Sequence, residues 1–397
     1  MGETMKTKKK EMTMLLLIGI LIGCGITLGG MLLVQKGILG GMATVSNTDY
    51  QYYQQLHQRY SKLNGIYDSV IASYYKKPKA EDLETGMYKG LMAGLGDPYS
   101  TYMTSEEYTS WEDSTTGEFE GVGVVFTQDE RGNYVVVQTT PDSPAEKAGI
   151  KAEDFILKVD GKTYDSMNEL SAAIKGPAGT KVIVTCQRDG KNMDFQMTRQ
   201  QIIDQSVESK ALDDNIGYIK ISAFEAHTAE DFDKAVAALK KKGAKRFVID
   251  LRDNSGGILD PGIEIADTLL GKGTITYLED QKGSKQYIKS DEEKLDMPYA
   301  LLINDKSAST SEVLAAAVKD EGKNPLIGTT TFGKGIIQTT AKLKDGSALK
   351  ITTAQYFSPK GSQIHEKGVK PDHRVKDNEK TKKDEQLEKA LELLRAK

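Results

Sequence analysis

The chain has 397 residues but only two cysteines and four histidines. Cys24 lies in a long apolar segment and Cys186 in the remainder of the chain, so no disulfide can form within one domain. The histidines are not spaced like metal ligands, and they are His57, His227, His365 and His373. We therefore expect no structural disulfide, no metal site and no other cofactor.

The chain also lacks an excess of charge of either sign. Its formal net charge is −4, although 28% of its residues are charged. A protein that binds nucleic acid usually carries a basic face, and an acidic tail would give a strongly negative balance. The composition therefore predicts no nucleic-acid partner, and the length is sufficient for two or three domains.

Charge is absent altogether from residues 12–34, which form one apolar run. At the rise of an α-helix this run is long enough to cross a bilayer. Four lysines precede it, and they are Lys6, Lys8, Lys9 and Lys10. Because basic residues stay on the cytoplasmic side, we expect a single-pass protein of the cell membrane whose chain after Gln35 lies outside the cytoplasm.

Two forms of attachment fit this apolar run. No small-residue cleavage site is evident at its end, which favours an uncleaved anchor over a removed signal peptide. Residues 21–24 instead resemble a lipoprotein signal, in which Cys24 would be lipidated and become the new N-terminus. Lipoproteins usually continue with a polar tether, whereas residues 25–34 remain apolar, so the uncleaved anchor is favoured.

A tether and two helices are predicted after the apolar run. Residues 37–49 contain Gly, Ser and Asn, which is typical of a short tether. Residues 50–75 place apolar side chains at spacings of three and four, which predicts an amphipathic helix. Residues 80–95 predict a second helix that ends at Gly96.

A serine lies at a predicted turn between a strand and a helix. Residues 301–303 are a short apolar run followed by turn-forming residues, which predicts a strand, and the Ala-rich residues 313–319 predict a helix. The unpaired N–H groups of a helix N-terminus could stabilise an oxyanion that forms beside Ser309. Ser309 and Glu312 also have the spacing of a plain capping box, so the serine is either a cap or a nucleophile.

A lysine lies between two glycines in an otherwise apolar and Thr-rich run, residues 326–337. This context predicts that Lys334 is buried. Burial disfavours the charged form and lowers the pKa of a lysine, which is the condition for its amine to act as a general base on a serine. Gln338 is chemically able to accept a hydrogen bond from that amine and orient it.

At these residues the sequence resembles a known family. Residues 304–312 and 331–338 are similar to the two active-site motifs of the C-terminal processing peptidases, serine proteases with a Ser-Lys dyad. The resemblance implies that Ser309 is the nucleophile, that Lys334 is the general base and that Gln338 positions the lysine.

Residues 250–257 resemble a third signature of the same family. Two consecutive glycines after a strand let the backbone approach a ligand closely, so the N–H groups of Gly257 and Thr310 are candidates for an oxyanion hole. The glycines could instead make only the turn into a helix predicted over residues 261–270. Thr310 stands where the family usually has Ala, and we expect little consequence because the useful group there is the backbone N–H.

A nucleotide site is a rival interpretation of the same lysine. Residues 328–334 fit the first seven positions of a phosphate-binding P-loop, and residues 247–250 could pass for the strand that holds its magnesium. The eighth position fails, because Gly335 replaces the Ser or Thr that touches the metal. Residues 335–343 fail too, since they predict a strand where a P-loop opens a helix.

From about residue 111 to residue 199 the pattern changes to short strands separated by Gly and Pro. The order of these strands and of short helices at residues 143–149 and 167–174 resembles a PDZ domain. In such a domain a glycine-containing loop points N–H groups at the C-terminal carboxylate of a peptide, which then adds as a strand to the sheet edge. The candidate loop, which could also be a plain bulged strand, consists of Gly121, Val122, Gly123 and Val124.

One position in this region departs from the family. Members often carry Arg in the segment aligned with residues 174–176, where this chain has Lys175. If that arginine couples peptide binding to the active site in relatives, the inference is weaker here, because a lysine cannot give bidentate recognition.

The fold class predicted by these patterns is multidomain α/β and α+β. It comprises an N-terminal transmembrane helix, a helical segment, a β-rich PDZ domain and an α/β serine protease core, in which strands and helices alternate. The expected bounds are 1–36 for the basic tail and membrane anchor, 37–110 for the tether and helical region, 111–200 for the PDZ domain, 201–376 for the protease core and 377–397 for a C-terminal helix.

The resemblance implies a membrane-anchored serine endopeptidase that acts outside the cytoplasm, holds the C-terminus of a protein or peptide substrate in its PDZ domain and cleaves through an acyl-enzyme. Two alternatives are a non-catalytic PDZ scaffold with an inactive protease fold and a latent enzyme that needs a partner or peptide. A Ser-His-Asp triad with His365 and Asp372 is a minor alternative. Members of the family can dimerise through their N-terminal helices, which the resemblance permits here.

Overall fold

The computed structural model describes residues 2–35, 46–291, 295–376 and 383–396. The chain divides into two units, Met1–Gly86 and Met87–Lys397. Most of the tether expected over residues 37–49 lies outside the described residues.

The first unit contains two long helices, α1 (Gly2–Gln35) and α2 (Asn47–Ser73). Within α1, Lys8–Leu33 is long and apolar enough to cross a membrane, a property that membrane anchors and signal sequences share. The amphipathic helix expected after the tether is α2. It begins after Ser46 because the side chain of that residue accepts a hydrogen bond from the N–H of Asp49.

Three short elements follow in the chain, and they are α3 (Ala80–Ala93), β1 (Thr101–Met103) and α4 (Ser105–Thr116). The prediction of short strands from about residue 111 is wrong for the first few residues, because α4 continues to Thr116. A capping box starts α4: the side chain of Thr104 accepts from the N–H of Glu107, and the Glu107 side chain accepts from the N–H of Thr104. The strands therefore begin only at residue 118.

A five-stranded antiparallel sheet follows, in which β3 to β7 are neighbours in chain order. Two further strands, β2 and β8, pair with each other where the chain enters and leaves this sheet. Cys186 is buried in its core, and both cysteines are free thiols. The elements are β2 (Glu118–Gly121), β3 (Val124–Gln128), β4 (Tyr134–Thr139), α5 (Pro144–Ala148), β5 (Phe155–Val159), α6 (Met167–Ile174), β6 (Lys181–Arg188), β7 (Lys191–Thr198) and β8 (Gln200–Ile203).

The remaining elements form two sheets with helices packed on them. They are β9 (Val207–Leu212), β10 (Ile216–Ile221), α7 (Thr228–Lys241), β11 (Arg246–Asp250), α8 (Leu259–Leu269), β12 (Gly273–Asp280), β13 (Lys285–Ser290), β14 (Tyr299–Ile303), α9 (Thr310–Glu321), β15 (Leu326–Gly328), β16 (Ile336–Lys342), β17 (Ala348–Phe357), β18 (His373–Arg374) and α10 (Glu385–Arg395). One sheet has the order β18-β15-β14-β11-β10-β9, and its pairs are parallel except for β9 with β10. The other sheet is antiparallel, with β1, β12 and β16 paired to β17 and β13 paired to β12.

Both faces of the parallel sheet are covered, as its continuous apolar strands require. Every residue of β14 is buried. Alternate residues of β11 and β14 face α7, α8 and α9, which contribute Phe232, Ile265 and Leu314 to one core. The opposite face packs against α10 through Ala390 and Leu394.

Candidate active site

Three loops follow three neighbouring parallel strands, at the edge where those strands end. Residues 251–258 follow β11, residues 304–309 follow β14 and residues 329–335 follow β15. The carboxyl ends of parallel strands meet at one edge of a sheet, which is where α/β proteins place their binding sites. Each loop carries one of the predicted residues, which are Gly257, Ser309 and Lys334.

Ser309 lies where the loop after β14 turns into α9. Its φ of 54° and ψ of −117° lie outside the regions that residues other than glycine usually adopt. Such a conformation costs of order 1–3 kcal/mol and persists only where the surrounding structure holds it. The serine is 8% exposed. A strained serine at a turn from a strand into a helix is also the arrangement of the nucleophile in α/β-hydrolases.

Asn254 is fully buried and fixes the serine loop against the loop after β11. Its side-chain oxygen accepts a hydrogen bond from the N–H of Gly256 at 2.8 Å. Its backbone carbonyl accepts from the N–H of Ala308 and from the hydroxyl of Ser311, both at 3.0 Å. The turn is therefore held on both sides of Ser309.

The loop that contains Gly256 and Gly257 approaches the serine closely. A Cβ on Gly256 would be 2.8 Å from the Cβ of Ser309 and 3.2 Å from the nitrogen of Thr310, so only glycine allows this approach. The Thr310 hydroxyl donates to the carbonyl of Gly257 at 3.1 Å, a bond that Ala at this position would lack. The backbone N–H groups of Gly257 and Thr310 have no acceptor among the residues that the structure describes, so both stay candidates for an oxyanion hole.

The Glu312 side chain joins the serine loop to the lysine loop. Its Oε2 accepts from the N–H groups of Ser309 at 2.9 Å and Lys334 at 2.7 Å, and its Oε1 accepts from the N–H of Gly333 at 2.7 Å and the hydroxyl of Thr331 at 2.5 Å. Burial raises the pKa of this carboxyl, and the four donors oppose the rise. One carboxylate therefore fixes the backbones of both predicted motifs relative to each other.

The amine of Lys334 lies over the ring of Tyr99, with Nζ 4.6 Å from the ring centroid. Burial lowers the pKa of this amine and the charge of Lys350 lowers it further, while the carboxylates of Asp97 and Glu312 act in the opposite direction. This direction agrees with the expectation drawn from the sequence, because a general base must be able to lose its proton near neutral pH.

Gln338 has another partner than this amine, since its Nε2 donates to Oγ1 of Thr352 at 3.1 Å. The side chain of Ser309 lies near the hydroxyl of Tyr356, whose pKa is raised by burial and lowered in part by the serine. All three predicted residues are described by the structure, and no hydrogen bond joins Nζ of Lys334 to either of the other two. The fold therefore places Ser309 and Lys334 in neighbouring loops of the parallel sheet and Gln338 in β16 of the other sheet, and no hydrogen bond connects the three side chains.

The Ser-His-Asp alternative has no support in the positions of its members. The carboxylate of Asp372 accepts from the N–H of Leu326 at 2.9 Å, at the start of β15. His365 lies instead near Asp97, whose pKa its charge helps to lower against the effect of burial. The two candidate residues of that triad thus interact with different parts of the structure.

The nucleotide alternative lacks its main structural element. The lysine loop leads into β16, an antiparallel strand, where a P-loop must open a helix whose N-terminus holds the phosphates. In the described ranges, no group of three or more His, Cys, Asp or Glu side chains could hold a metal ion.

A cleft of about 1150 Å³ runs beside the lysine loop. It mixes apolar and acidic side chains. Its apolar lining includes Tyr99, Phe332, Ile336, Ile351 and Phe357. Its polar lining includes Asp97, Glu279, Asp280, His365 and Glu366.

The loop predicted to bind a carboxylate joins β2 to β3. The N–H groups of Val122 and Gly123 have no acceptor among the described residues, whereas their carbonyls are bound by the N–H groups of Ala145 and Thr140, at 2.8 and 2.9 Å. Gly123 has a φ of 74°, which favours glycine. The adjoining strand β3 lies at the edge of its sheet and pairs only with β4. Loop and edge together offer what the addition of a peptide strand needs.

Lys175 lies between this loop and α4. Its amine binds Asp113 of α4 at 2.8 Å, and a Cβ on Gly121 would be 3.7 Å from its side chain. The same helix places the ring of Trp111 5.2 Å from Nζ of Lys350, the lysine that lowers the pKa of Lys334. Lys175 therefore contacts α4, and α4 in turn contacts Lys350 beside the site.

Two features of the site were missed in the sequence. The spacing of Ser309 and Glu312 predicts only a cap, whereas the apolar residues that follow Glu312 are the signal that its carboxyl is buried and needs several donors. The second feature is the turn of residues 97–100. No local pattern connects this turn to Lys334, because its contacts join distant parts of the chain.

Comparisons with known proteins agree with this architecture. The model of Peptidase family S41 matches residues 215–375 and a PDZ-domain model matches residues 135–188. A third model, described as the N-terminal domain of the activating protease CtpB, matches residues 20–107. These matches define a serine-type peptidase core that carries a PDZ domain, and they confirm the predicted fold class.

Two relatives and one solved structure cover most of the chain. The carboxy-terminal processing protease CtpA of Bacillus subtilis (strain 168) is 40% identical over 79% of this chain and 68% of its own length. A probable CtpA-like serine protease of Staphylococcus haemolyticus (strain JCSC1435) is 34% identical over 94% of this chain and 74% of its own. The photosystem II D1 C-terminal processing protease is similar in structure, with 29% identity, coverage of 78% and 85%, and a TM-score of 0.48. The chain belongs to the family of CtpA-like C-terminal processing serine proteases.

Proposed function

We propose that the chain is a membrane-anchored endopeptidase that cleaves by a Ser-Lys dyad and recognises the C-termini of its substrates. The observation that carries this proposal is the link through Glu312, which holds the strained turn of Ser309 and the backbone of Lys334 on one carboxylate. Burial of a charged carboxylate costs free energy, and in this site the buried carboxylate fixes the two motifs relative to each other.

In the proposed reaction, neutral Lys334 takes the proton of the Ser309 hydroxyl while Oγ attacks the peptide carbonyl carbon. The N–H groups of Gly257 and Thr310 stabilise the oxyanion of the tetrahedral intermediate. The lysine ammonium then gives its proton to the leaving amine, and an acyl-enzyme forms. Water attacks the acyl-enzyme in the same way, with Lys334 as base, and releases the second product.

This reaction requires a movement of the lysine side chain, because the amine of Lys334 must leave the ring of Tyr99 and reach the hydroxyl of Ser309. Gln338 would then accept a hydrogen bond from the lysine and fix its orientation.

Substrate recognition is assigned to the PDZ domain. The substrate's C-terminal carboxylate would bind the N–H groups of the loop formed by Gly121, Val122, Gly123 and Val124, and the preceding residues would pair with β3. The unpaired N–H groups of Val122 and Gly123 and the free edge of β3 support this assignment. Lys175 is a candidate for sensing the bound peptide, through its contact with α4.

The membrane attachment and the domain limits complete the proposal. The apolar stretch Lys8–Leu33 would anchor the chain, and the lysines before it support an orientation with the peptidase outside the cytoplasm. The domain bounds of 1–36, 37–110, 111–200, 201–376 and 377–397 stay predictions. A homodimer likewise stays a prediction.

The proposal is tested with the full chain in detergent micelles. An unfolded protein with an apolar C-terminus is incubated with the parent chain and with Ser309→Ala, Lys334→Ala and Lys344→Ala, and the products are identified by intact mass. The first two variants should lose activity by about 10⁴-fold or more, because each removes a member of the reacting pair. Lys344 is exposed and lies away from the site, so its variant should cleave like the parent.

Each other outcome points to a different conclusion. Cleavage by Ser309→Ala at the parent rate would overturn the nucleophile, and cleavage by Lys334→Ala would overturn the base. The third outcome is that neither the parent nor any variant cleaves. If a peptide with a free C-terminal carboxylate then binds and the same peptide with a C-terminal amide does not, the chain is a PDZ scaffold or a latent enzyme.

A further inference from the structure

A turn formed by residues 97–100 lies beside Lys334 in the candidate active site. In the chain, these residues come near the start of the second unit. The carboxylate of Asp97 accepts three hydrogen bonds: from the N–H of Tyr99 at 3.0 Å, from the hydroxyl of Ser100 at 2.5 Å and from Oγ1 of Thr352 at 2.6 Å. Burial alone would raise the pKa of this carboxyl, but the hydrogen bonds outweigh burial and lower it. Asp97 is therefore ionised at neutral pH and can only accept hydrogen bonds.

The carboxylate of Asp97 determines which hydrogen bonds the hydroxyl of Thr352 can make. A threonine hydroxyl has one proton, and this proton is donated to the carboxylate. The oxygen of Thr352 therefore has only lone pairs left for its other partner, Gln338, at 3.1 Å. Gln338 must present its NH₂ group to Thr352 and not its carbonyl.

This order of donors fixes the orientation of the Gln338 amide. The nitrogen and oxygen of a side-chain amide are distinguished by their hydrogen-bond partners, and here the partners leave one choice. With the NH₂ group held by Thr352, the carbonyl oxygen of Gln338 is the end that remains for another group. An amine or ammonium donates hydrogen bonds, so this is the end that Lys334 requires.

We infer that Asp97 is a positioning residue of the active site, which acts through Thr352 to turn the carbonyl of Gln338 toward the catalytic lysine. The inference rests on the proposed role of Lys334 as the base. If Asp97 could not accept the proton of Thr352, that hydroxyl would donate to Gln338 instead. The amide would then flip and face the lysine with its NH₂ group, and two donors would oppose each other.

The backbone supports the same chain of contacts. The hydroxyl of Ser100 donates to Asp97 and accepts from the N–H of Thr352 at 2.9 Å, so it joins these two residues a second time. The next residues of the turn form β1, which pairs with β17 at Thr101 and Lys350. The turn is thus joined to the strand that carries Thr352, so Asp97 is held in register with its partner.

The test compares two substitutions at Thr352 in the full chain. Thr352→Val keeps the shape of the side chain but removes the hydroxyl that connects Asp97 to Gln338. We expect kcat to fall about tenfold with little change in KM, because a misplaced base costs rate and not binding. Thr352→Ser keeps a hydroxyl at the same place and should stay within about twofold of the parent. Asp97→Asn should lower kcat in the same way as Thr352→Val.

A double-mutant cycle separates positioning from general damage. If Thr352 acts through Gln338, then Thr352→Val should cost nothing further in a Gln338→Leu background. Where turnover of Gln338→Leu is too slow, the cycle uses the rate at which an activated ester acylates Ser309 in a single turnover, followed by intact mass.

Three results would overturn the inference: an unchanged kcat in Thr352→Val, an equal loss in Thr352→Ser, or a full additional loss in the Gln338→Leu background. These results are distinct from a failure of the proposed function, which would appear as cleavage by Lys334→Ala. Thermal unfolding of each variant is measured alongside, so that a loss of fold is recognised as such.

Discussion

The serine side and the lysine side of the candidate active site differ in what holds them. On the serine side, Ser309 has a strained backbone that Asn254 and Glu312 hold from two directions. On the lysine side, the backbone of Lys334 is held equally firmly, but its amine lies on the ring of Tyr99. The serine side depends on main-chain geometry, whereas the lysine side depends on where flexible side chains point.

This difference has a physical reason. An oxyanion hole consists of backbone N–H groups, which act only when the chain is fixed before the reaction, since reorganisation would cost the stabilisation that they provide. A lysine has a long side chain that can exchange partners without disturbing the fold. The proposed active site would thus combine rigid N–H donors for the oxyanion with a movable base.

The largest effect is expected on the serine side, at Gly257. A Cβ there would lie 2.1 Å from the carbonyl oxygen of Phe224, and the φ of 141° disfavours any side chain. We expect Gly257→Ala to lower the free energy of unfolding by about 3–5 kcal/mol, through steric overlap and backbone strain together. Chemical denaturation measures the loss, and cleavage should also fall because the N–H of Gly257 would move.

Gly161 provides a matched control for this substitution. Its φ is 78°, and no atom lies within 4 Å of the position that a Cβ would take. Gly161→Ala should cost only about 1 kcal/mol and leave cleavage unchanged. Equal losses in the two variants would mean that the close approach at Gly257 does not determine the geometry of the site.

The next effect is expected at Glu312, where the two sides are joined. Glu312→Gln replaces one accepting oxygen by an NH₂ group, which would face donors such as the N–H of Ser309 and Lys334. Leaving such buried donors without an acceptor should lower the free energy of unfolding by about 2–3 kcal/mol. Cleavage should fall with it, since both motifs lose their common support.

A second glutamate distinguishes loss of this support from the mere loss of a negative charge. Glu366 borders the cleft but is exposed. Glu366→Gln should leave the free energy of unfolding within about 0.5 kcal/mol of the parent. If Glu312→Gln were equally harmless, the backbone of the site would be held by something other than the carboxylate.

The smallest effect concerns the lysine side alone and appears in the dependence of cleavage on pH. Lys350 lowers the pKa of Lys334 by repulsion between the two charges. Lys350→Met removes that repulsion, so the pKa of Lys334 should rise and a smaller fraction of it should be neutral at any given pH. The acid limb of kcat/KM should therefore move to higher pH.

Two further substitutions check the sign of this shift. Lys342 also lies over an aromatic ring of α4, with Nζ 4.9 Å from the ring centroid of Tyr108, but its charge does not act on Lys334. Lys342→Met should leave the acid limb in place. Tyr99→Leu removes a ring that favours the charged amine and should move the limb to lower pH, while Tyr99→Phe keeps the ring and should not. A shift in the same direction for Lys350→Met and Tyr99→Leu would contradict these assignments.

The local elements could be predicted where the pattern of residues is strong. The helix over residues 167–174 has the expected bounds, because Ser166 caps its start and accepts a hydrogen bond from the N–H of Glu169. The helix α4 was missed, since polar and aromatic residues conceal its period. Its capping box, formed by Thr104 and Glu107, was the available signal.

By itself, the sequence determined the three motifs, the family and the apolar N-terminal segment, because these depend on residues that are close together in the chain. Only the tertiary structure decided that Glu312 holds both motifs and that Asp97 contacts the site through Thr352. Those contacts follow from the order of strands in two sheets, which no local pattern encodes. The rest position of the Lys334 amine depends on the same packing, because the ring that it contacts belongs to a turn from another part of the chain.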